Sequence, residues 1–313
     1  MKTIRNYINN KIQQKQIMKV YQIINQKLST YLFEDLKEVN KLREMGHEHY
    51  MVKELEDEIL NLIEDYPEVL RVQSSSGLNI GMRSAQVGFE KIVLRSLDDA
   101  IAPIQQDSFG KNIGMWAADY RMEEAVIKAL DNEKASIQQT QAGENIGMEA
   151  CCLGLERAVI KALDNPVAST QVTTIGNSNM GMLAAYFGLE NAVLKALDNK
   201  EACLQRNTDG HNIGMMAALH CLEKASLKAI ENKEASLQQD ICLRNLGMFV
   251  AFRGYDEATL IALDNDEANL QHDSCGRTIY NYISDKKGKL PMSYEKVQNM
   301  ELFDNINNEI VNE

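Results

Sequence analysis

At 313 residues the chain is longer than a typical single domain, which admits either one elongated array or two globular domains. Hydrophobic residues at 44% suffice for a core, whereas aromatics at 6% and four prolines argue against a sandwich or barrel and for helices. A formal net charge of -12 sets most of the surface against nucleic acid, because that affinity comes from neutralising phosphates.

Residues 1–30 depart from the acidic average, with Lys2, Arg5, Lys11, Lys15, Lys19 and Lys27 and no acid. Apolar side chains recur at helical spacing (Ile4, Ile8, Ile12; Val20, Ile24, Leu28; Leu32, Leu36, Val39), predicting one or two long helices over residues 4–45, weakly broken at Gly46. Residues 1–50 thus read as an N-terminal helical extension, basic in residues 1–30. The basic face is either the solvated side of a packed helix or a segment that docks on an acidic membrane or a partner helix. Scarce Arg beside abundant Asn and Gln argues against a transit peptide. No apolar stretch resembles a secretory signal or nears the roughly 18 residues of a membrane span. His47-Glu48-His49 is the best metal candidate, but His spaced by two on a helix point about 200° apart, and nothing completes a site. Over residues 51–65, Leu55, Ile59, Leu62 and Ile63 predict a helix that covers the exposed end of whatever follows.

From residue 77 onward the chain is periodic. Gly-Met recurs at 81–82, 114–115, 147–148, 181–182, 214–215 and 247–248, at spacings of 33 or 34 residues. Such a period marks a stacked array of supersecondary units. The shared pattern is approximately G-x-N-I-G-M-x-A-A-x-x-G-x-E-x-A-V-x-K-A-L-D-N-x-x-A-x-L-Q. Asn79, Asn112, Asn145, Asn179, Asn212 and Asn245 stand where a side-chain oxygen caps the first amides of a short helix. Gly88, Gly154, Gly188 and Gly254 fall between two helices, where positive φ is wanted, with Arg121 and Cys221 as exceptions. The second helix carries an apolar stripe, Ala192, Val193, Ala196 and Leu197 in the fourth copy. The Asn of the closing Leu-Asp-Asn suits a left-handed C-cap, and Asp131, Asp164, Asp198 and Asp264 read as local capping groups.

The glycine of Gly-Met demands a cause, since a helix-interior Gly costs about 1 kcal/mol relative to Ala. Six copies would cost about 6 kcal/mol, comparable with the net stability of many domains. The following position has diverged completely (Arg83, Trp116, Glu149, Leu183, Met216, Phe249), so the glycine is expected to permit close approach of stacked helices, with Met filling the gap. Gly114→Leu is then expected to disrupt the stack locally.

This frame resembles the ankyrin repeat, G-x-T-P-L-H-x-A-A-x-x-G, with Asn-Ile-Gly-Met in place of Thr-Pro-Leu-His. Gly110, Asn112, Ala117 and Ala118 keep the family's spacing. The second helix runs one residue longer to its closing Ala (Ala135, Ala202) and the turn is one shorter, so the family's β-hairpin finger is expected to be shortened or distorted. The resemblance covers about residues 77 to 285 and implies an all-α, ankyrin-like helical-repeat solenoid with the N-terminal extension. Residues 51–76 would be an N-terminal capping half-repeat and 77–275 six repeats. Residues 276–313 would form a C-terminal capping half-repeat, beginning Gly276-Arg277-Thr278-Ile279, with a polar tail.

In that family the turn residues and the two residues after Ala-Ala line a concave protein-binding surface. Carried over by position, the latter are Asp119 and Tyr120, Cys152 and Leu153, Tyr186 and Phe187, Leu219 and His220, Phe252 and Arg253. The turns add Phe109, Lys111, Ile175, Asn177, Asp209, His211, Ile241 and Arg244. Large rings with an adjacent Arg anchor interfaces. The competing reading, packing between neighbouring repeats, is strongest for Trp116, which follows the core Met115.

Catalytic constellations are missing from the sequence: it holds no G-x-x-x-x-G-K-[ST] loop, no H-E-x-x-H, and no Ser/His/Asp order. His211, His220 and His272 fall in different parts of the repeat. Six cysteines without a CxxC pair read as thiols of a reducing, cytoplasm-like compartment, and vicinal Cys151-Cys152 as one buried and one exposed structural thiol. The sequence thus predicts a non-catalytic protein-binding scaffold with no cofactor, metal, nucleic-acid or small-molecule ligand. The alternative places the function in the basic N-terminal helix, as a membrane or partner anchor. Ankyrin arrays and an Asn-, Ile- and Lys-rich composition fit a cytoplasmic protein, or an effector that a host-associated bacterium delivers into a host cell.

Overall fold

A computed structural model describes residues 11–29 and 48–300, apart from the side chains of residues 48–52. The expectations placed on Ile4, Ile8, Leu32, Leu36, Val39, Gly46, His47, the His49 side chain and the tail from residue 301 lie outside the described residues. The fold is all-helical, and neighbouring helix pairs pack on one another. Among the described residues the nearest approach to a strand is an isolated bridge between Val172 and Asn179.

Two compact units divide between Gln141 and Ala142. In the first, α1 (residues 11–29) is followed by α2 (Glu48–Asp65) and by two pairs, α3 (Ile80–Val87) with α4 (Glu90–Ser96) and α5 (Ile113–Asp119) with α6 (Glu123–Ala129). Short α7 (Glu133–Ser136) comes last. The second unit begins with α8 (Ile146–Leu153), α9 (Glu156–Ala162) and short α10 (Pro166–Thr170). The same order returns as α11 (Met180–Tyr186), α12 (Glu190–Ala196) and α13 (Lys200–Leu204), then α14 (Ile213–Leu219), α15 (Glu223–Ile230) and α16 (Lys233–Leu237). It returns again as α17 (Leu246–Arg253), α18 (Asp256–Ala262) and α19 (Asp266–Asn269), before α20 (Ile279–Asp285) and α21 (residues 291–300). First helices stack on first helices, α8 to α11 to α14 to α17 to α20, and second helices on second helices, α9 to α12 to α15 to α18.

The six asparagines cap as expected: each side-chain oxygen accepts from the Met amide three residues on, at 3.0–3.1 Å. Their amide nitrogens do more than the sequence suggested. Each donates to the carbonyl of the Ala 23 residues later and to a glutamine side chain 26 residues later, as Asn212 does to Ala235 and Gln238. Five of these glutamines, Gln105, Gln138, Gln205, Gln238 and Gln271, then donate backwards to a carbonyl 34 or 35 residues earlier, as Gln238 does to Leu204 at 2.8 Å and Gln205 to Thr170 at 2.7 Å. All six asparagines are buried, so these bonds stitch pair to pair where water cannot substitute.

Two expectations for the second helix are corrected. Asn132, Asn165, Asn199, Asn232 and Asn265 are not left-handed C-caps: φ lies between -82° and -104°, and each side chain caps the short helix that follows. The chain therefore makes three helices per period, because Asn caps a helix start more readily than it closes one when Glu, Lys or Pro follows. Asp164, Asp198 and Asp264 do not cap; they pair with Lys195, Lys228 and Lys296 of the next period at 2.5–3.1 Å. The second helices start without a side-chain cap of their own at Phe89, Leu189, Leu222 and Tyr255. A carboxylate from an earlier helix accepts the leading amides of three of these helices, Glu56 for α4, Glu156 for α12 and Glu190 for α15, and Asp256 does the same for α21.

At the N-terminal end α1 packs, which favours the packed-helix reading of its basic face: Val20, Tyr21, Ile24 and Leu28 are buried, and Tyr21 donates to the Leu78 carbonyl. Residues 291–300, in the polar stretch for which a short helix or a frayed tail is expected, form a helix that buries Val297 and binds Asp256 through Ser293.

The glycine of Gly-Met does permit close approach, though to side chains rather than to backbone. A Cβ on Gly181 would lie 2.5 Å from the Ile213 Cδ1 and 2.8 Å from the Ala196 Cβ. One neighbour belongs to the paired helix and the other to the next first helix. Between the helices, Arg121 and Cys221 adopt the same left-handed backbone as the glycines, with φ of 57° and 64°. A side chain there costs about 1 kcal/mol, so Cys221→Gly is expected to raise stability by about that amount, read as a higher thermal midpoint.

Candidate functional site

The turns that precede each first helix are tight and stacked in place of β-hairpin fingers. In the second unit, Thr208 N–H donates to the Gly176 carbonyl, Ile241 to Asp209 and Ser274 to Cys242, so each turn rests on the one before. Each turn is closed by one polar side chain. Asp240 Oδ1 accepts from the Cys242 and Arg244 amides, and Asp273 Oδ1 from Cys275 and Arg277, both sets at 2.8–2.9 Å. Sequence reasoning missed these closers, although a Ser, Thr, Asn or Asp recurs five residues before every capping asparagine.

In the first unit, Asp107 closes the turn and its second oxygen accepts from the Trp116 indole at 2.9 Å. Trp116 is half-buried and stacks on Tyr120, ring centroids 6.3 Å apart, so its ring anchors the turn to α5. Lys111 and Asp119 form an ion pair at 2.8 Å, and Phe109 projects from the turn largely exposed.

In the second unit the residues after the buried small pairs form a continuous surface at the ends of the first helices. Tyr186 is 58% exposed and Phe187 40%, in edge contact with each other, and Tyr186 also meets His220 at 5.0 Å. Phe252 is 50% exposed and edge-on to Tyr282. Leu219 is partly buried against the core, and Arg253 donates to the carbonyls of Ala218 and Leu219 at the end of α14. The guanidinium of Arg253 is thus fixed by the helix end it caps. Leu153 is half-buried, and Cys152 is exposed beside a fully buried Cys151 whose thiol burial pushes well above the ordinary range.

His211, expected as a turn contact, lies edge-on to Phe249 and 3.5 Å from Asp240. Burial lowers its pKa against the opposing pull of Asp240, and burial lowers that of His220 as well. Arg244 binds Asp240 and lies 4.5 Å over Phe249. The same arrangement returns with Asp273, Arg277 and Tyr282, whose hydroxyl donates to Asp273 at 2.7 Å. Ile175, Asn177, Asp209 and Ile241 are exposed on the turns.

Burial alone would raise the Asp273 pKa, but hydrogen bonds from the Arg277 amide, the Tyr282 hydroxyl and the Cys275 amide outweigh it and hold the group at about 2. The folded value lies below the unfolded one of about 3.9. The carboxylate therefore stabilises the fold above about pH 4, and this contribution is lost as pH falls toward 2. Melts at pH 5 and pH 2.5 should show a smaller drop for Asp273→Asn than for the parent chain.

Among the described residues no three of His, Cys, Asp and Glu cluster as a metal site, and no helix is long and apolar enough to cross a membrane. Compared with known proteins, the sequence matches no protein-family model and no curated protein.

Proposed function

We propose that the chain is an ankyrin-like helical-repeat solenoid that holds a protein partner without turnover, in a cytoplasm-like compartment. Recurrence of the same caps and ladders at intervals of 33 or 34 residues supports the repeat reading. The observation that carries the binding role is the exposure of Tyr186, Phe187 and Phe252. They follow small buried residues on α11 and α17, so core packing does not force large rings there.

The test compares the parent with a Tyr186→Ala/Phe187→Ala/Phe252→Ala variant and with a control altered on the short helices at Val167 and Glu201. Proteins captured by the parent and by the control are expected to be lost from the triple variant, with an unchanged helical circular-dichroism spectrum. An identical set on the triple variant would sink the assignment.

A second reading, docking through the N-terminal helix, has one observation behind it: Ile12, Met18 and Ile23 of α1 remain exposed among Lys11, Lys15 and Lys19. Because α1 also supports the core, its deletion is a poor test. Lys15→Glu/Lys19→Glu should abolish binding to anionic vesicles if this reading holds, and leave protein capture unchanged if the first does.

A further inference from the structure

Charge is segregated in the second unit. Residues 256–270 hold Asp256, Glu257, Asp264, Asp266 and Glu267 and no base, whereas residues 277–289 hold Arg277, Lys286, Lys287 and Lys289 against Asp285 alone. The basic stretch lies beside one exposed ring, Phe252, and the buried Tyr282. Lys286 sits 5.2 Å over Phe252, Phe252 meets Tyr282 at 6.4 Å, and Arg277 covers Tyr282 at 4.5 Å. Arg277 is neutralised by Asp273, as Arg244 is by Asp240. Arg253 is held instead by two carbonyls, and no carboxylate among the described residues forms an ion pair with Arg253, Lys286, Lys287 or Lys289. In a chain of net charge -12 this is a local, pre-positioned excess of positive charge.

An independent observation comes from the adjoining turn. Leu243 has φ of 62° and is 49% exposed, at the position where Gly77, Gly110, Gly143, Gly210 and Gly276 stand in five other turns and Asn177, with φ of 51°, in a sixth. A leucine there strains the backbone while about half of it stays exposed, so burial repays only part of the strain, which marks a side chain that also serves something outside the fold.

We propose that this end of the second unit docks an acidic peptide segment of the partner bearing phenylalanine or leucine. Apolar side chains of the segment lie against Phe252, near the end of α17, and against Leu243, in the turn before it, and the carboxylates meet Arg253, Lys286 and Lys287. The inference rests on the protein-binding reading above and names the chemistry of its ligand. Nucleic acid is disfavoured because a polyanion long enough to use these charges also meets the acidic excess of the neighbouring helices.

Fluorescence anisotropy with the full chain tests it, using a short labelled peptide of Glu with Phe and Leu, the same peptide with every Glu replaced by Lys, and a single-stranded oligonucleotide. The acidic peptide is expected to bind at least about tenfold more tightly than the Lys peptide, and Lys286→Glu/Lys287→Glu to weaken it by about tenfold. Leu243→Gly should weaken it severalfold while raising the thermal midpoint, a pairing that a purely structural leucine would not give. Equal binding of the two peptides, tighter binding of the oligonucleotide, or an affinity unmoved by the charge reversal would overturn the proposal. If the reversal changes nothing while the triple aromatic variant still loses its captured proteins, the acidic-ligand inference falls and the protein-binding reading stands.

Discussion

Gly181→Leu is expected to cost more than about 3 kcal/mol and to lower the thermal midpoint steeply, because the side chain has nowhere to go. Even the methyl of alanine would stand 2.5 Å from the Ile213 terminal carbon and 2.8 Å from the Ala196 Cβ. Ile213 is fully buried and Ala196 nearly so, and the Ala196 Cβ is fixed to the backbone. Alanine also gains about 1 kcal/mol of helix propensity, which offsets part of the overpacking, so Gly181→Ala should lose about 1–2 kcal/mol. Gly247 provides the contrast, with nearest approaches of 3.0 and 3.2 Å. There the propensity gain is comparable to the crowding, and Gly247→Ala should fall within about 1 kcal/mol of the parent. Equal midpoints for the two alanine variants would show that close packing is not what keeps the glycine.

The second large effect is at Asn212. Its oxygen accepts from the Met215 amide, and its nitrogen donates to the Ala235 carbonyl and the Gln238 side chain, all at 2.8–3.0 Å and without solvent. Asn212→Ala removes a cap worth about 1 kcal/mol and strands buried partners at about 1–3 kcal/mol more, for a total near 3 kcal/mol. Asn212→Asp separates the two roles. Aspartate caps equally well, but its carboxylate faces the Ala235 oxygen and the Gln238 oxygen. If the ladder matters as much as the cap, the aspartate variant melts no higher than the alanine one in a thermal scan at pH 7.

Those asparagines were readable because capping is local: a polar acceptor three residues before the amide it serves, at the start of an apolar run. The short third helices were not read, although Asn165-Pro166 is a helix start and acids follow Asn132, Asn199, Asn232 and Asn265 within two residues. Asn suits both a left-handed stop and an N-cap, and the apolar stripe alone does not choose. What sequence could not supply were bonds between residues about 30–36 apart, such as Glu190 to the Lys224 amide or Lys228 to Asp198. The same limit shaped the candidate surface. Exposure of Tyr186, Phe187 and Phe252 followed from position, whereas the attachment of Trp116 to Asp107 and of Arg253 to the end of α14 depended on neighbours. Lys286 was overlooked because its importance comes from lying over Phe252, 34 residues earlier.

The carboxylates that cap α4, α12, α15 and α21 all come from an earlier helix, never from a later one. A cut between any two such neighbours is therefore unsymmetrical. Both fragments lose the apolar contacts of the stack, but in capping the upstream fragment keeps helices whose amides are already satisfied and exposes only a carboxylate to water. The downstream fragment begins with a helix whose leading amides have lost their acceptor. Growth from the N-terminus, as on a ribosome, presents each new helix to an acceptor already in place, so the polarity of synthesis and the polarity of capping coincide.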